Sequence, residues 1–323
     1  MIVSAPQLTC SAPDRQCSSC GATLVVGVLC STCACRTLVV VVDIGLGADG
    51  AIEHLRRQLA IVESIDRLDG QLSPDPSMLA EPGSELAALA ETAPDAPVNL
   101  LLSVRAGLTA ARGALDQIAS LLGHNVPTDT IVLQALLRTA LLGAGRVVFA
   151  LAPADPGQRQ RNVRVVLRQE SRSLMQGLNS FAEFEHLALL KPQGGYLEEQ
   201  RRKDKALRDG SQPAGEAMIL KEVARVIGEQ LATSGFDGPA APPDVLAEHI
   251  MWIWHAYSGA AHGYAWPWLL SDVASLAGDF IADLGLVVPV THLAFDVAQR
   301  RCRSDSSRLG PGRPDRARLP ARR

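Results

Sequence analysis

Residues 128–153 read TDTIVLQALLRTALLGAGRVVFALAP, and this stretch decides the fold class. Its apolar residues recur three and four apart, which is typical of an α-helix. Thr128 or Asp129 provides an N-terminal cap, and Pro153 ends the helix near Leu151. The stretch therefore predicts one long and largely apolar helix.

Similar helical patterns fill most of the chain on either side. The predicted helices cover residues 51–68, 99–122, 129–151, 155–190, 196–210, 214–233, 243–263, 266–288 and 290–301. No alternation of strands and helices follows residue 70. The sequence therefore predicts a mainly α fold, a helical bundle preceded by a small cysteine-rich unit.

The composition is that of a packed protein of 323 residues, a length typical of about two domains. Apolar residues make up 47% and charged residues 20%, which excludes a wholly disordered chain and a collagen-like repeat. No apolar run reaches the ~20 residues that cross a bilayer, and no secretory signal opens the sequence. We therefore expect a cytoplasmic protein with no membrane partner.

The net charge of −3 hides an asymmetry. Residues 300–323 hold nine Arg against Asp305 and Asp315, whereas residues 1–299 carry a net charge of −10. This Arg-rich, Pro-containing tail is predicted to be disordered. It offers nucleic acid a non-specific contact with phosphate. A solvated terminus without a partner is the alternative.

Six of the seven cysteines lie in the first 35 residues. Cys17 and Cys20 form one Cys-x-x-Cys pair, and Cys30 and Cys33 form a second. Two such pairs joined by a short hairpin place four thiolates around one Zn²⁺. Metal is favoured over disulfides because the spacing is short and no export signal precedes it.

Residues 15–36 resemble the short zinc-ribbon family found at the ends of many bacterial proteins. The resemblance implies a structural or adhesive Zn²⁺ site, because four protein ligands leave no position open for substrate. Cys10 and Cys35 are alternatives for the fourth ligand. The segment between the two pairs, residues 24–29, is more apolar than is usual in a ribbon.

These signals divide the chain into five parts. We predict a zinc ribbon over residues 1–36, a strand–turn–helix connector over 37–69, a flexible linker over 70–98, a helical bundle over 99–301 and a disordered basic tail over 302–323. Prolines among Ser, Asp and Glu mark the linker, within which residues 84–91 form a short helix.

The connector contains a glycine motif, GLGADG, at residues 45–50. It lies between a strand-like stretch and a helix, so it matches the dinucleotide-binding fingerprint locally. A second parallel strand with an acidic end should follow, but Asp69-Gly70 leads into the linker instead. We therefore interpret the motif as a glycine-rich turn into a helix.

A polar seam marks the helix predicted over residues 243–263. Glu248, His255 and His262 are seven residues apart, and Ser258 lies between the two histidines at helical spacing. In a structural interpretation, these polar residues are buried and form hydrogen bonds with a second helix. A catalytic interpretation uses His262, His255 and Ser258, with Arg138 supplied by a neighbouring helix.

Buried arginines need partners, because an unpaired buried charge costs several kcal/mol. Arg138 and Arg146 lie two turns apart in the apolar helix, and Glu248 or Glu170 is a candidate partner. A third group, the arginines at 161, 164 and 168, follows one side of the next helix.

The order of these arginines and of Tyr257-Ser258 and His262 resembles helical proteins of actinobacteria and, more distantly, the HEPN superfamily of helical bundles. HEPN ribonucleases carry an Arg and, after a gap of a few residues, a His on one helix. The Arg binds phosphate and the His acts in acid–base cleavage. Here no Arg precedes His255 or His262 at that spacing, and the nearest upstream is Arg225. The resemblance covers residues 99–290.

Two functions follow from these observations. The first is a non-enzymatic interaction or regulatory protein that binds a protein partner or itself and carries Zn²⁺. The second is a HEPN-like ribonuclease or related defence enzyme that uses the His and Arg side chains. The sequence favours the first, because it contains no complete catalytic signature.

Overall fold

The computed structural model describes residues 15–16, 23–24, 48–123, 128–208, 215–233, 243–264, 266 and 273–304. Within these ranges the chain is mainly helical, which confirms the predicted fold class. Two short strands, β1 (Arg15–Gln16) and β2 (Thr23–Leu24), pair antiparallel and flank the first cysteine pair in sequence. The six N-terminal cysteines, the predicted strand over 37–44 and the basic tail beyond residue 304 lie outside the described residues.

Nine α-helices make up most of the described ranges. They are α1 (Ala48–Asp69), α2 (Glu85–Ala90), α3 (Leu100–Gly123), α4 (Thr130–Leu151), α5 (Pro156–Ala182), α6 (Gly194–Arg208), α7 (Glu216–Thr233), α8 (Pro243–Ala261) and α9 (Val273–Cys302). Short 3-10 turns occur at Pro76–Met78 and Ala188–Leu190. Helix α1 begins inside the glycine motif, which agrees with a glycine-rich turn into a helix.

Two of the long helices begin at the capping residues that the sequence predicts. The carboxylate of Asp129 accepts a hydrogen bond from the backbone N–H of Ile131 at 2.9 Å and opens α4. Asp155 caps α5 in the same way, with Pro156 at the first helical position. Helix α5 ends at Ala182 rather than near residue 190, because the residues that follow are largely exposed and offer no core face to a longer helix.

Helix α4 lies at the centre of the bundle and packs against α3, α5, α7, α8 and α9. Its closest neighbour is α3, where Gly143 meets Gly107. A Cβ atom on Gly143 would lie 2.5 Å from the carbonyl oxygen of Gly107, and a Cβ on Gly107 would lie 2.8 Å from the carbonyl oxygen of Gly143. The two backbones therefore touch, and only glycine fits at this crossing.

A second close crossing joins α1 to α9. A Cβ atom on Gly285 of α9 would lie 2.6 Å from Nε2 of His54 on α1. His54 Nε2 and Gln58 Oε1 are buried here without a hydrogen-bond partner among the described residues. Burial, and then the charge of Arg57, lowers the pKa of His54 below its ordinary value.

Helix α9 corrects the prediction of two helices, 266–288 and 290–301. It runs unbroken from Val273 to Cys302 with Pro289 inside it. Pro289 cannot donate a hydrogen bond to the carbonyl of Gly285, a loss that costs roughly 3 kcal/mol in a helix interior. Val288 and Val290 on either side are fully buried, and the packing of this segment outweighs that cost.

The segment over residues 70–98 is not the flexible linker that its composition suggested. Leu72, Leu79, Leu86 and Leu89 are buried in the same core as the long helices. The predicted short helix is present as α2, with Ser84 as its cap. The prolines lie in turns at the surface of the bundle, and the buried leucines between them anchor the segment in the core.

The end of α9 is clamped to this segment. Glu85 of α2 forms ion pairs with Arg301 of α9 and with Arg159 of α5, a side chain that is only 4% exposed. Glu81 donates its backbone N–H to the carbonyl of Cys302 at 2.8 Å, and its carboxylate accepts from the N–H of Ser304 at 2.8 Å. Cys302, at this end of α9, is a free cysteine and is buried.

By length and composition, two of the described helices are apolar enough to cross a membrane. They are Thr130–Leu151, with a mean hydropathy of 1.5, and Phe280–Cys302, with 1.6. The core helix of a packed protein passes the same test, and 72% of the second window is buried against other helices. This observation leaves the predicted location untested.

Candidate functional site

Helix α8 presents its apolar side to the core and its predicted seam to the edge. Ile250, Ile253 and Tyr257 are buried. His255 and His262, however, are exposed, and so is Glu248 at the start of the helix. The predicted burial of this seam is therefore wrong for its acid and both of its histidines, because the apolar residues of α8 already fill the side that faces α4 and α7.

Ser258 is the member of the seam that meets a second helix. Nε of Arg138 on α4 donates to Oγ of Ser258 at 2.6 Å, and both side chains are half-buried. Ser258 Oγ also donates to the carbonyl of Trp254 one turn earlier. The structure thus brings together two of the four candidate catalytic residues. Neither histidine hydrogen-bonds to Arg138 in the part of the chain that is described.

Arg146, two turns further along α4, links four helices. Its Nη1 lies 3.1 Å from Oε1 of Glu170 on α5, and its Nη2 lies 3.3 Å from Oε1 of Glu216 on α7. The second carboxylate oxygen of Glu216 accepts from Nε1 of Trp254 on α8 at 3.0 Å. The predicted pairing of a core arginine with Glu170 is confirmed. Glu216 and Trp254 are partners that spacing along one helix did not indicate.

A third polar group, missed by the sequence analysis, lies between α8 and α9. Nε2 of His249 lies 2.5 Å from Oδ1 of Asp283, and the hydroxyl of Tyr257 donates to the other oxygen of that carboxylate. Asp283 is 1% exposed. The available signal was one acid in the otherwise apolar run FIADLGLVV, since a buried carboxylate requires donors on a neighbouring helix.

These contacts show what the site is able to do. An acid–base reaction needs a histidine within hydrogen-bond reach of the reacting atoms and a cation that stabilises developing charge. Arg146 is neutralised by two carboxylates, Arg138 holds a serine hydroxyl, and the histidine that is paired with an acid is His249, on the inner side of α8. Across the described residues, these contacts join neighbouring helices to one another.

The described residues contain no cluster of three or more His, Cys, Asp or Glu side chains able to hold a metal ion. The predicted ligands Cys17, Cys20, Cys30 and Cys33 lie outside those residues, so the zinc ribbon stays a prediction.

No family model, no curated protein and no solved structure matches this chain.

Proposed function

We propose that this chain is a non-enzymatic interaction or regulatory protein, in which the helical bundle is a rigid scaffold and the N-terminal ribbon binds Zn²⁺. The observation that carries the proposal is the engagement of Arg138 and Arg146 in contacts between helices. A cation that already holds a serine or two carboxylates must give up those bonds before it binds a substrate. This argues for a function carried by surfaces of the protein and against one carried by the contact between α4 and α8.

The ribbon supplies the second part of the proposal. Two Cys-x-x-Cys pairs provide four thiolates, and a closed tetrahedral site of this kind stabilises a fold or an adhesive surface. The antiparallel pairing of β1 with β2 supports it, because these strands lie on either side of Cys17 and Cys20 in the sequence. A protein partner or a second copy of the chain is the expected ligand of this unit, and its cytoplasmic location remains a prediction.

A second candidate function is the HEPN-like ribonuclease, and one contact favours it. The guanidinium of Arg138 rests on Ser258, which is three residues from His255 and four residues from His262. On a helix, these separations place both imidazoles within one turn of the contact. An RNA phosphate that displaced Ser258 from Arg138 would then lie near two exposed histidines.

One preparation of the full chain tests both candidates. Zinc content is measured by mass spectrometry, and cleavage of a labelled RNA is followed with wild type, His262→Ala and His255→Ala. His186→Ala, which changes an exposed histidine in the loop after α5, is the matched control. We expect about one zinc per chain and no cleavage. Cleavage that is lost in folded His262→Ala and kept in His186→Ala would overturn the proposal in favour of the enzyme.

A second set of variants identifies which cysteines bind the zinc ion. Cys20→Ser is expected to lose the metal, whereas Cys302→Ser, which changes a buried thiol at the end of α9, is expected to keep it. Cys10→Ser and Cys35→Ser decide which thiol is the fourth ligand if Cys33→Ser retains zinc. A wild-type chain without zinc would remove the ribbon from the proposal.

A further inference from the structure

Positive charge is concentrated in one hairpin of the bundle, formed by α5 and α6. Residues 156–208 hold eleven Lys and Arg against six Asp and Glu. The rest of residues 1–299 holds eleven Lys and Arg against twenty-six Asp and Glu. The hairpin is therefore a basic element within an acidic protein, and such a separation favours an anionic ligand.

The two helices of this hairpin lie side by side with a cavity between them. Oγ of Ser171 on α5 donates to Oδ1 of Asp204 on α6 at 2.6 Å, and Nη2 of Arg201 donates to Oδ1 of Asn179 at 3.0 Å. An open cavity of about 300 Å³ lies beside these contacts. It is lined by Met175, Asn179, Arg201, Asp204, Lys205 and Arg208.

Three cations line the cavity from one flank of α6. Arg201, Lys205 and Arg208 are spaced four and three residues apart, so they follow one another along the same side of the helix. All three are exposed to solvent. Lys205 has no carboxylate within 4.0 Å among the residues that the structure describes, and it is the cation most available to a ligand.

The buried carboxylate of Asp204 contacts both helices and orients the side chains around the cavity. Asp204, 7% exposed, lies 2.5 Å from Nη2 of Arg208 and accepts from Ser171. Among the described residues it is the acid that lines the cavity, and Glu198 lies 2.7 Å from Nη1 of Arg201 beside it. Three cations therefore face two carboxylates, and Lys205 is the cation that neither carboxylate pairs with. Asn179 is fixed through its oxygen by Arg201, which leaves its amide nitrogen as a further donor.

We infer that the cavity between α5 and α6 binds a phosphate group through Arg201, Lys205, Arg208 and the amide of Asn179. An anion matches the net positive charge that remains after Glu198 and Asp204 are counted, and guanidinium groups bind phosphate with paired N–H donors. The volume accommodates a phosphate and leaves the groove open to a longer ligand. The phosphate belongs either to a small phosphorylated molecule or to a nucleic-acid backbone, since both present the same group.

Two probes distinguish these sources on the full chain. Inorganic phosphate is titrated at constant ionic strength and its phosphorus NMR linewidth is recorded, because a weakly bound ion broadens on a slowly tumbling protein. A fluorescein-labelled single-stranded RNA is titrated separately by anisotropy. The test variant is Lys205→Glu, and the matched control is Lys221→Glu, which reverses an exposed lysine on α7.

We expect Lys205→Glu to weaken phosphate binding about ten-fold and Lys221→Glu to leave it unchanged. A parallel loss of RNA affinity in Lys205→Glu assigns the phosphate to nucleic acid, and unchanged RNA affinity assigns it to a small molecule. Lys205→Gln, which adds no negative charge, should lie between the two, and circular dichroism confirms that each variant is folded. Equal binding of both probes by wild type and Lys205→Glu, or no binding of either probe by wild type, overturns the inference.

Discussion

The α3–α4 and α1–α9 crossings both depend on glycine, but they enclose different atoms. At the first, Gly107 and Gly143 bring two backbones into contact. At the second, Gly285 makes room for the imidazole of His54, and two buried polar atoms there have no partner in the described part of the chain. A buried polar atom without a hydrogen bond costs about 1–3 kcal/mol.

The difference separates a rigid crossing from a weak one. Backbone atoms of two packed helices have little freedom to move, so the α3–α4 crossing tolerates no added atom. A side chain such as His54 is able to rotate away. The α1–α9 crossing should therefore yield to substitution at a lower cost in stability and should respond to protonation. Three measurements test this contrast, and a fourth compares it with a polar junction of α4.

The largest effect is expected from Gly143→Val. Its Cβ would lie 2.5 Å from the carbonyl oxygen of Gly107, and the clash is relieved only if α3 and α4 separate. We expect a loss of more than about 3 kcal/mol in the free energy of unfolding, measured by urea denaturation. Gly113→Ala on the exposed side of α3, where a Cβ meets nothing, is the control and should gain up to about 1 kcal/mol. Wild-type stability in Gly143→Val would show that the crossing is loose.

Arg146→Gln probes a polar junction on the other side of α4. The substitution leaves the carboxylates of Glu170 and Glu216 close together without their cation. We expect a loss of about 2 kcal/mol in the free energy of unfolding. Arg161→Gln, which removes an exposed pair with Asp155 at 3.4 Å, should cost less than about 0.5 kcal/mol. Equal losses in the two variants would contradict the structural role given to Arg146.

Gly285→Ala tests whether a side chain, and not the backbone, excludes a larger residue from the α1–α9 crossing. In the wild-type background the new Cβ meets His54, and we expect a loss of about 1 kcal/mol in the free energy of unfolding. In a His54→Ala background the obstacle is gone, so the same substitution should stabilise the helix by about 0.5–1 kcal/mol. A double-mutant cycle measures this change of sign. A loss of the same size in both backgrounds would place the obstacle in the backbone.

The smallest effect is the pH dependence due to His54. Its pKa in the folded state is lowered by burial and by Arg57, so the unfolded chain binds the proton more tightly. The contribution of His54 to stability is then complete above the ordinary pKa of about 6.5, and it is lost progressively as the pH falls from that value through the lower pKa of the folded state. Unfolding measured at two pH values, one above and one below it, should show a smaller acid loss in His54→Gln than in wild type. The exposed variant His186→Gln should follow the wild-type dependence.

The sequence predicted the helical elements well because their signals are local. Caps at Asp129 and Asp155 and the repeat of apolar residues each act within one or two turns, so they can be recognised without knowing the neighbours. The same local reasoning failed at Pro289 and over residues 70–98. In both places the packing of distant helices outweighs a local signal for a break or a flexible segment.

The candidate site was predicted only in part for a related reason. Spacing along α8 placed Ser258 beside the histidines, and Arg138 does reach it. Which side of α8 faces the core depends on α4, α7 and α9, and that choice left His255 and His262 exposed. The pairing of Asp283 with His249 joins two different helices, so no pattern within either helix shows it.

The buried thiol of Cys302 reports on the clamp between α9 and α2. A buried thiol reacts with an alkylating reagent only while the structure around it is open, and Cys302 lies at the end of α9 that Glu81 and Glu85 hold. The alkylation rate of the peptide that contains Cys302 therefore measures how often this end of the protein opens. Compared with the rate of global unfolding, it tells whether the terminus detaches alone or together with the bundle.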